Sequence, residues 1–171
     1  MSTLSYKNLL QMETDFMGHN FETLKAHILP LSVSQNFDVA RTEWNLVAVE
    51  VSEEWANCPC GQDIKEHCFI RNRLTENETY VGNICINRFM EISTGNLFAG
   101  LKRIANDDEA NANADVIEYA YKNGYLFGEN EYTFLKQTKL KKKPSSKQLE
   151  WKRKINRRII SHTVVRRRTV R

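Results

Sequence analysis

The sequence predicts an α+β protein in which a small cysteine-rich module lies within a mostly helical chain. Three observations support this prediction. All four cysteines of the 171 residues lie between Cys58 and Cys85, and short β-branched runs surround them. The segments on either side have apolar residues at helical spacing. The last part of the chain is strongly basic, which predicts a basic C-terminal helix followed by a tail.

The composition is that of a folded protein in an aqueous compartment. Hydrophobic residues make up 41% of the chain and charged residues 27%, so one core, or one core and a small module, can form. No apolar run reaches the roughly 20 residues that a membrane span needs, and the first residues lack the features of a secretory signal. We therefore expect a cytoplasmic protein with reduced thiols and no membrane partner. The sequence does not indicate an oligomeric state.

The N-terminal segment, residues 1–37, is predicted to be helical. The helical pattern covers residues 4–29, with apolar anchors from Leu9 to Ile28 and a break expected at residues 18–20. Pro30 should end this helical region.

The second segment, residues 38–95, is predicted to be an α+β module. After a short helical turn, "WNLVAVEV" is short and β-branched, which indicates a strand over Trp44–Val51. "HCFIRN" and "TYVG" predict two further strands, which the polar turn "RLTENE" joins into a hairpin. "CINRFMEI" then begins a short helix at Cys85.

The third segment, residues 96–136, is predicted to be helical. The clearest helix covers Asp115–Lys122 and ends at Asn123-Gly124, which is a favourable helix C-terminus. "ENEYTFLKQ" predicts a further helix, and the polar stretch Asn106–Asn113 predicts a solvated acidic loop.

The fourth segment, residues 137–171, is predicted to contain a linker, a helix and a tail. The linker "KLKKKPSS" leads to a helix that starts at Ser145, because Gln148 three residues later has the spacing of a capping box. Residues 162–171 are highly charged and have few apolar groups to pack, so we expect them to be disordered unless they are bound.

The spacing of the cysteines predicts a zinc site. Cys58 and Cys60 form a tight pair around a proline, Cys68 begins a hairpin strand, and Cys85 begins a helix. Structural zinc takes four Cys or His ligands in a tetrahedron, so we predict that these four cysteines bind zinc in a treble-clef-like layout. His67 is the alternative to Cys68, because adjacent strand residues point to opposite faces and both cannot bind one ion. Four thiols without a metal are the remaining alternative.

A resemblance supports the same ligands. "ARTEW", followed by "CPCGQDIKEHCFIRN" and "YVGNICINRF", resembles a small zinc-binding module found in uncharacterised proteins of bacteriophages and large DNA viruses. The resemblance covers residues 38–91 well and residues 129–160 loosely. It implies zinc at the four cysteines. If the protein is viral, it also implies that the protein is located in the cytoplasm of the host cell. It implies no activity, because most members of this group have none assigned.

The charge distribution predicts a polyanionic partner. Residues 136–171 carry fifteen Lys or Arg and one acid, a net charge of +14, while the rest of the chain carries −10. Such a basic density neutralises phosphates, and the affinity comes from counterion release. We therefore predict DNA or RNA as the partner, bound by basic residues of the linker, helix and tail: Lys141, Lys142, Lys143, Lys147, Lys152, Arg153, Lys154, Arg157, Arg158, Arg166, Arg167 and Arg168.

Two alternatives for this segment remain open. A helix with the apolar positions Leu149, Trp151, Ile155 and Ile159 could pack and leave a solvated basic face. The basic face could also bind an acidic protein, including the acidic part of this chain.

The sequence contains no clear catalytic motif. A nuclease of the ββα-metal type would need a catalytic histidine on the hairpin and a metal ligand on the helix, and only His67 and Asn87 could serve. We therefore predict a non-enzymatic, zinc-stabilised nucleic-acid-binding protein. The alternative is a viral or regulatory protein that binds a host polymerase, nuclease or defence component, and the nuclease is the third hypothesis.

Overall fold

The computed structural model of the chain describes Gly18 and residues 20–165. The chain forms two compact units, called here the N-terminal unit (Met1–Ser93) and the C-terminal unit (Thr94–Arg171). The described residues contain seven α-helices and one three-stranded antiparallel sheet, which confirms the mixed α and β composition. Among these residues, no helix is long and apolar enough to cross a membrane.

The N-terminal unit combines the sheet with three helices. Within the described residues it begins with helix α1 over residues 20–28. The predicted helix over residues 4–29 starts outside the described residues, and His19 at its expected break also lies outside them. The elements that follow are a 3-10 turn (Leu29–Leu31), α2 (Phe37–Ala40), a second 3-10 turn (Arg41–Glu43), β1 (Trp44–Asn57), β2 (Asp63–Asn72), β3 (Glu78–Gly82) and α3 (Asn83–Met90).

The sheet has the order β1-β2-β3, and the predicted hairpin is the β2–β3 pair. Strands β1 and β2 are both longer than predicted, because the ends of the two strands pair at Asn57 and Asp63. Before this second paired stretch, residues 52–55 of β1 lie opposite Lys65 alone, so β1 forms a wide bulge. The charges in the bulge interrupt the alternation that marks a strand, which is why the sequence did not reveal the extension.

One face of this sheet lies in the core of the N-terminal unit. Helix α1 is joined to β3 by a hydrogen bond of 2.9 Å between His27 Nε2 and Thr79 Oγ1. The rings of Trp44 and Phe89 meet edge to face, with centroids 6.3 Å apart, which brings the start of β1 against α3. The fully buried residues of this core are Leu24, Ile28, Val49, Cys68, Ile70, Val81, Ile86 and Phe89.

A buried carboxylate organises the loops at the end of the sheet. Glu43 accepts hydrogen bonds from the backbone N–H groups of Val33 and Ser34, at 2.8 and 2.9 Å, and from Asn72 Nδ2 at 2.8 Å. The Asn72 hydrogen bond is the largest cause of a lowered pKa for Glu43, and the backbone donors add to it. Ionised Glu43 therefore stabilises the segment that precedes β1.

The C-terminal unit is helical. Its elements are α4 (Gly95–Asn106), α5 (Ala114–Lys122), α6 (Gly128–Thr138) and α7 (Ser146–Ile160). The predicted helices at the positions of α5, α6 and α7 are confirmed, and so is the loop between α4 and α5. The predicted capping box is also present, because Ser145 and Gln148 bond reciprocally at the start of α7.

Two contacts of the C-terminal unit were not foreseen. Gly100 of α4 lies so close to α5 that an added Cβ would lie 2.5 Å from Val116 Cγ2. The tail was predicted to be disordered over residues 162–171, but His162 stacks on Tyr125 and Val165 N–H donates to Gly124 O at 2.8 Å. Residues 162–165 are therefore attached to the unit, and the remaining residues 166–171 lie outside the described part.

Candidate metal centre

The first two cysteines lie in a tight turn between β1 and β2. Cys58 N–H donates to Gln62 O and Gly61 N–H donates to Cys58 O, both at 2.8 Å. Gly61 has φ +95°, a conformation that glycine adopts readily and that side chains rarely tolerate. The turn thus places Cys58 and Cys60 close together at one end of the sheet.

The third cysteine approaches this turn from the β3–α3 junction. Cys85 lies in the first turn of α3 and is buried. Gly82, just before α3, is packed so closely that an added Cβ would lie 2.9 Å from Ile64 Cγ2 on β2. Its backbone N–H donates to Cys58 Sγ at 3.3 Å. The glycine therefore brings the helix start and the cysteine turn into direct contact.

The result is a buried group of three thiols. The Sγ atoms of Cys58, Cys60 and Cys85 all lie within 4.8 Å of one another, and those of Cys58 and Cys85 are 3.6 Å apart. Two sulfurs on one tetrahedral zinc would be about 3.8 Å apart, given Zn–S bonds near 2.3 Å. We call Cys58, Cys60 and Cys85 the three-thiol group, and it has the donors and the spacing to bind a soft metal ion.

The thiols of this group differ in their pKa values. The hydrogen bond from Cys85 is the main reason that the pKa of Cys58 falls to about 5, and the Gly82 N–H also favours the thiolate. The same hydrogen bond raises the pKa of Cys85, while burial is the main cause of the raised pKa of Cys60. The group therefore stabilises one thiolate at Cys58, and a metal would displace the other two protons.

The fourth cysteine lies apart from this group. Cys68 is fully buried on the core face of β2, where Val49 and Val81 are its neighbours in the sheet. Burial is the main cause that raises its pKa to about 12, and charges on Glu66 and Cys58 add to this. The structure thus brings together three of the four predicted ligands, and the four-cysteine assignment stays a prediction.

His67, the alternative ligand, points to the opposite face of β2. Its ring packs beside those of Phe69 and Tyr80, with centroids 6.2 and 5.2 Å away. Its Nδ1 atom is buried and has no hydrogen-bond partner among the described residues. His67 is not part of the three-thiol group, and Asn87, its suggested partner in a nuclease, is exposed on α3.

A cavity of about 160 Å³ opens beside the three-thiol group. Cys60 and Cys85 line it, together with Asn20, Phe21, Gln62, Ile84 and Arg88. Sequence reasoning missed this cavity. Arg88 could have been noticed, because it follows Cys85 by three residues and such residues share one face of a helix. The contribution of α1 has no local signal in the sequence.

The basic residues of α7 fall into two groups, and the first is bound within the C-terminal unit. Arg157 Nε donates to Asp108 Oδ2 at 2.7 Å, and Arg153 pairs with Glu109. Arg158 Nη2 donates to both carboxylate oxygens of Glu131, at 2.6 and 2.7 Å. These arginines join α7 to the α4–α5 loop and to α6.

Lys152 belongs to the same bound group. Its ammonium is buried, and it donates to Asn111 and to Thr138 O. Burial lowers its pKa. Together with Arg153, Arg157 and Arg158, it forms a set of predicted phosphate-binding residues whose charged groups have partners within the C-terminal unit.

The second group is exposed. Lys142, Lys143 and Lys147 have no ion-pair or hydrogen-bond partner among the described residues. Lys141 bonds to Gln148 at 3.0 Å and Lys154 to Glu150 at 2.8 Å, and both lysines remain exposed. We call the four lysines near the start of α7, Lys141, Lys142, Lys143 and Lys147, the linker lysine group, and we count Lys154 with the paired residues. The predicted contacts Arg166, Arg167 and Arg168 lie outside the described residues.

Comparisons with protein-family models, curated proteins and solved structures gave no match. The resemblance to viral zinc-binding proteins is therefore neither supported nor opposed by a relative.

Proposed function

We propose that this protein is a non-enzymatic, zinc-stabilised nucleic-acid-binding protein. The zinc site forms in the N-terminal unit, and the phosphates are bound by the linker lysine group and the C-terminal arginines. The main observation in support of the metal site is the burial of three thiols within 4.8 Å of one another. Two separate chain segments contribute these thiols, and only the fold brings them together.

Zinc fits the donor set of this site. Three soft sulfur donors favour Zn²⁺ over the hard ions Mg²⁺ and Ca²⁺, which take oxygen ligands. The Gly82 N–H that donates to Cys58 Sγ at 3.3 Å would support a thiolate ligand. The role of the metal is structural, because it would join the β1–β2 turn to the first turn of α3.

Metal analysis tests this proposal. Freshly purified, reduced protein should contain about one zinc per chain. Cys58→Ser and Cys85→Ser should lose the metal and unfold at lower temperature, because binding and folding free energies are shared. Cys68→Ser is the matched control, since it removes a buried thiol outside the three-thiol group. Protein without bound metal, or equal loss in all three variants, would contradict the three-thiol assignment.

The nucleic-acid proposal depends on which basic residues are free. The arginines on α7 are paired with acids of the same unit, whereas the linker lysine group is exposed next to the start of α7. Phosphate contacts from these lysines would position nucleic acid without reading its sequence. Binding should therefore be sensitive to salt and insensitive to sequence.

Two matched triple variants separate the two groups of basic residues. Lys142→Gln/Lys143→Gln/Lys147→Gln removes three unpaired charges, and it should reduce the slope of log affinity against log salt by about 2 to 3 on duplex DNA.

The control, Arg153→Gln/Lys154→Gln/Arg157→Gln, removes three charges that are paired with acids. It changes the net charge equally and should leave the slope nearly intact. Equal slopes for both variants and the natural chain would rule out the linker lysine group as the binding site.

A protein-interaction role is the second candidate, and one observation favours it. Trp55 in the β1 bulge is 68% exposed, and the neighbouring Glu53 and Glu54 are exposed too. An exposed tryptophan among acidic residues suits a partner with an apolar patch and a basic rim. If Trp55→Ala abolishes co-purification of a cellular protein and the lysine triple variant does not, this role replaces nucleic-acid binding.

The absence of catalysis is tested separately. Plasmid DNA and single-stranded RNA should remain intact when incubated with the protein and Mg²⁺ or Mn²⁺. Cleavage that is lost in His67→Ala would support the nuclease hypothesis instead.

A further inference from the structure

We propose that the metal of the three-thiol group has an open fourth position, which faces the adjacent cavity and binds a small thiol that carries a carboxylate. This inference rests on the zinc site proposed above. It goes further, because the metal that joins the β1–β2 turn to α3 would also bind an exchangeable ligand.

The described residues supply three ligands to this metal site. Among the described residues, the three-thiol group is the only cluster of three or more Cys, His, Asp or Glu donors with metal-binding spacing. Tetrahedral zinc with four protein ligands is closed, whereas zinc with three keeps one position for an exchangeable ligand. Cys68 lies on the core face of β2 and outside the group, so the protein supplies three sulfurs.

The open position faces the cavity beside Cys60 and Cys85. Cys60 and Cys85 line the cavity, whereas Cys58 faces the Gly82 N–H at 3.3 Å. A ligand that enters the cavity therefore meets the side of the group formed by Cys60 and Cys85. The cavity of about 160 Å³ is about ten times larger than a single water requires, so it can hold a molecule of several heavy atoms.

The cavity wall has side chains that suit a carboxylate ligand. Arg88 is the cation of the cavity, and within the described part of the chain it makes no ion pair or hydrogen bond. A carboxylate is the natural partner of a guanidinium, since charge-assisted hydrogen bonds between them are strong. The amides of Asn20 and Gln62 can donate to the same anion, and Phe21 and Ile84 can cover a short alkyl chain. Sulfur is the donor that matches the other three ligands.

Binding is a ligand exchange and involves no electron transfer. The thiol releases its proton to solvent, its sulfur forms the fourth bond, and the solvent molecule in that position returns to bulk water. The ligand carboxylate then pairs with Arg88, so the guanidinium neutralises the charge that the carboxylate brings into the cavity.

Cobalt substitution of the full-length protein tests this inference. The intensity of the thiolate-to-cobalt charge-transfer band rises with the number of sulfur ligands. Adding 3-mercaptopropionate should raise this intensity by about one third, as three thiolates become four, and the rise should saturate. 2-Mercaptoethanol lacks the carboxylate, so the same rise in intensity should require a concentration about 10- to 100-fold higher.

Variants identify the residues involved. Arg88→Ala should raise the half-saturating concentration of 3-mercaptopropionate to that of 2-mercaptoethanol, while Arg103→Ala, an exposed control on α4, should not. Cys68→Ser should keep both the starting band and the response to added thiol.

Several results would overturn the inference. Cobalt binding with no response to thiol means that the site is closed. If Cys68→Ser loses one quarter of the starting band intensity, Cys68 is the fourth ligand and the site has no open position. A changed starting spectrum in His27→Ala, or in His19→Ala outside the described residues, would assign the position to an imidazole of the chain. Failure to bind cobalt at all would reject the proposed metal site itself, and the inference with it.

Discussion

Breaking the Glu131–Arg158 pair should destabilise the C-terminal unit more than any exposed ion pair does. Glu131 accepts two hydrogen bonds from Arg158, one from Trp151 Nε1 at 3.1 Å and one from Phe127 N–H at 2.8 Å. The side chains of Glu131 and Arg158 are only 7% and 16% exposed. Glu131→Gln keeps the shape but leaves the buried guanidinium charge without its counter-ion.

The expected loss of unfolding free energy in Glu131→Gln follows from the burial of the pair. Removing one partner of a fully buried pair costs about 3–5 kcal/mol, and the partial exposure of Arg158 reduces this to about 2–4 kcal/mol. Among the described residues, the Nη1 atom of Arg158 is already buried without a hydrogen bond, and the hydrogen bonds of the guanidinium go to Glu131. The control is Glu150→Gln, which breaks the exposed pair with Lys154 and should change the free energy of unfolding very little, because solvent screens that pair.

Urea denaturation followed by circular dichroism measures the free energy of unfolding for both variants. Hydrogen exchange of peptides from α6 and α7 shows whether the loss occurs in the C-terminal unit. If Glu131→Gln costs no more than Glu150→Gln, the pair does not hold α7 in place. Arg158 would then be free to bind phosphate, and the division of the basic residues proposed here would be wrong.

Two further predictions concern packing and pH. Gly100→Ala should cost about 1–3 kcal/mol of unfolding free energy, since its Cβ would lie 2.5 Å from Val116 Cγ2. Gly95→Ala, where the added Cβ meets nothing within 4 Å, should cost little in the same denaturation assay. The folded-state pKa of Glu43 is lowered, so its stabilisation is present above the unfolded value near 4.5 and is lost as pH falls below it. Thermal unfolding between pH 3 and 7, roughly the range in which carboxylates titrate, should show a smaller pH dependence for Glu43→Gln.

Features that depend on nearby residues could be predicted from the sequence. The capping box of α7 needs residues three apart, and the cysteine turn needs only a proline and a glycine within four positions. Both the β2–β3 hairpin and α3 follow from short apolar patterns with polar turns. Local chemistry determines each of these elements, and the structure contains all of them, although β2 begins at Asp63 and α3 at Asn83, earlier than the predicted His67 and Cys85.

Features that depend on distant residues could not be predicted. The acidic loop after α4 was expected to be solvated, but Asp108 pairs with Arg157, which is 49 positions away. Charge alone does not reveal whether an arginine meets a phosphate or a carboxylate of the same chain. Likewise, Cys68 has the spacing of a metal ligand, and its place on the core face becomes visible only once the register with Val49 and Val81 is known.

The bulge in β1 also determines how this sheet ends. Among the described residues β1 is an outer strand of 14 residues, and long outer strands are the sites at which sheets pair edge to edge. Residues 52–55 depart from the regular ladder, and they place Glu53 and Glu54 on the surface at that edge. A second copy of the sheet would have to bring like charges together and match an irregular backbone. The bulge therefore protects the long strand against edge-to-edge aggregation.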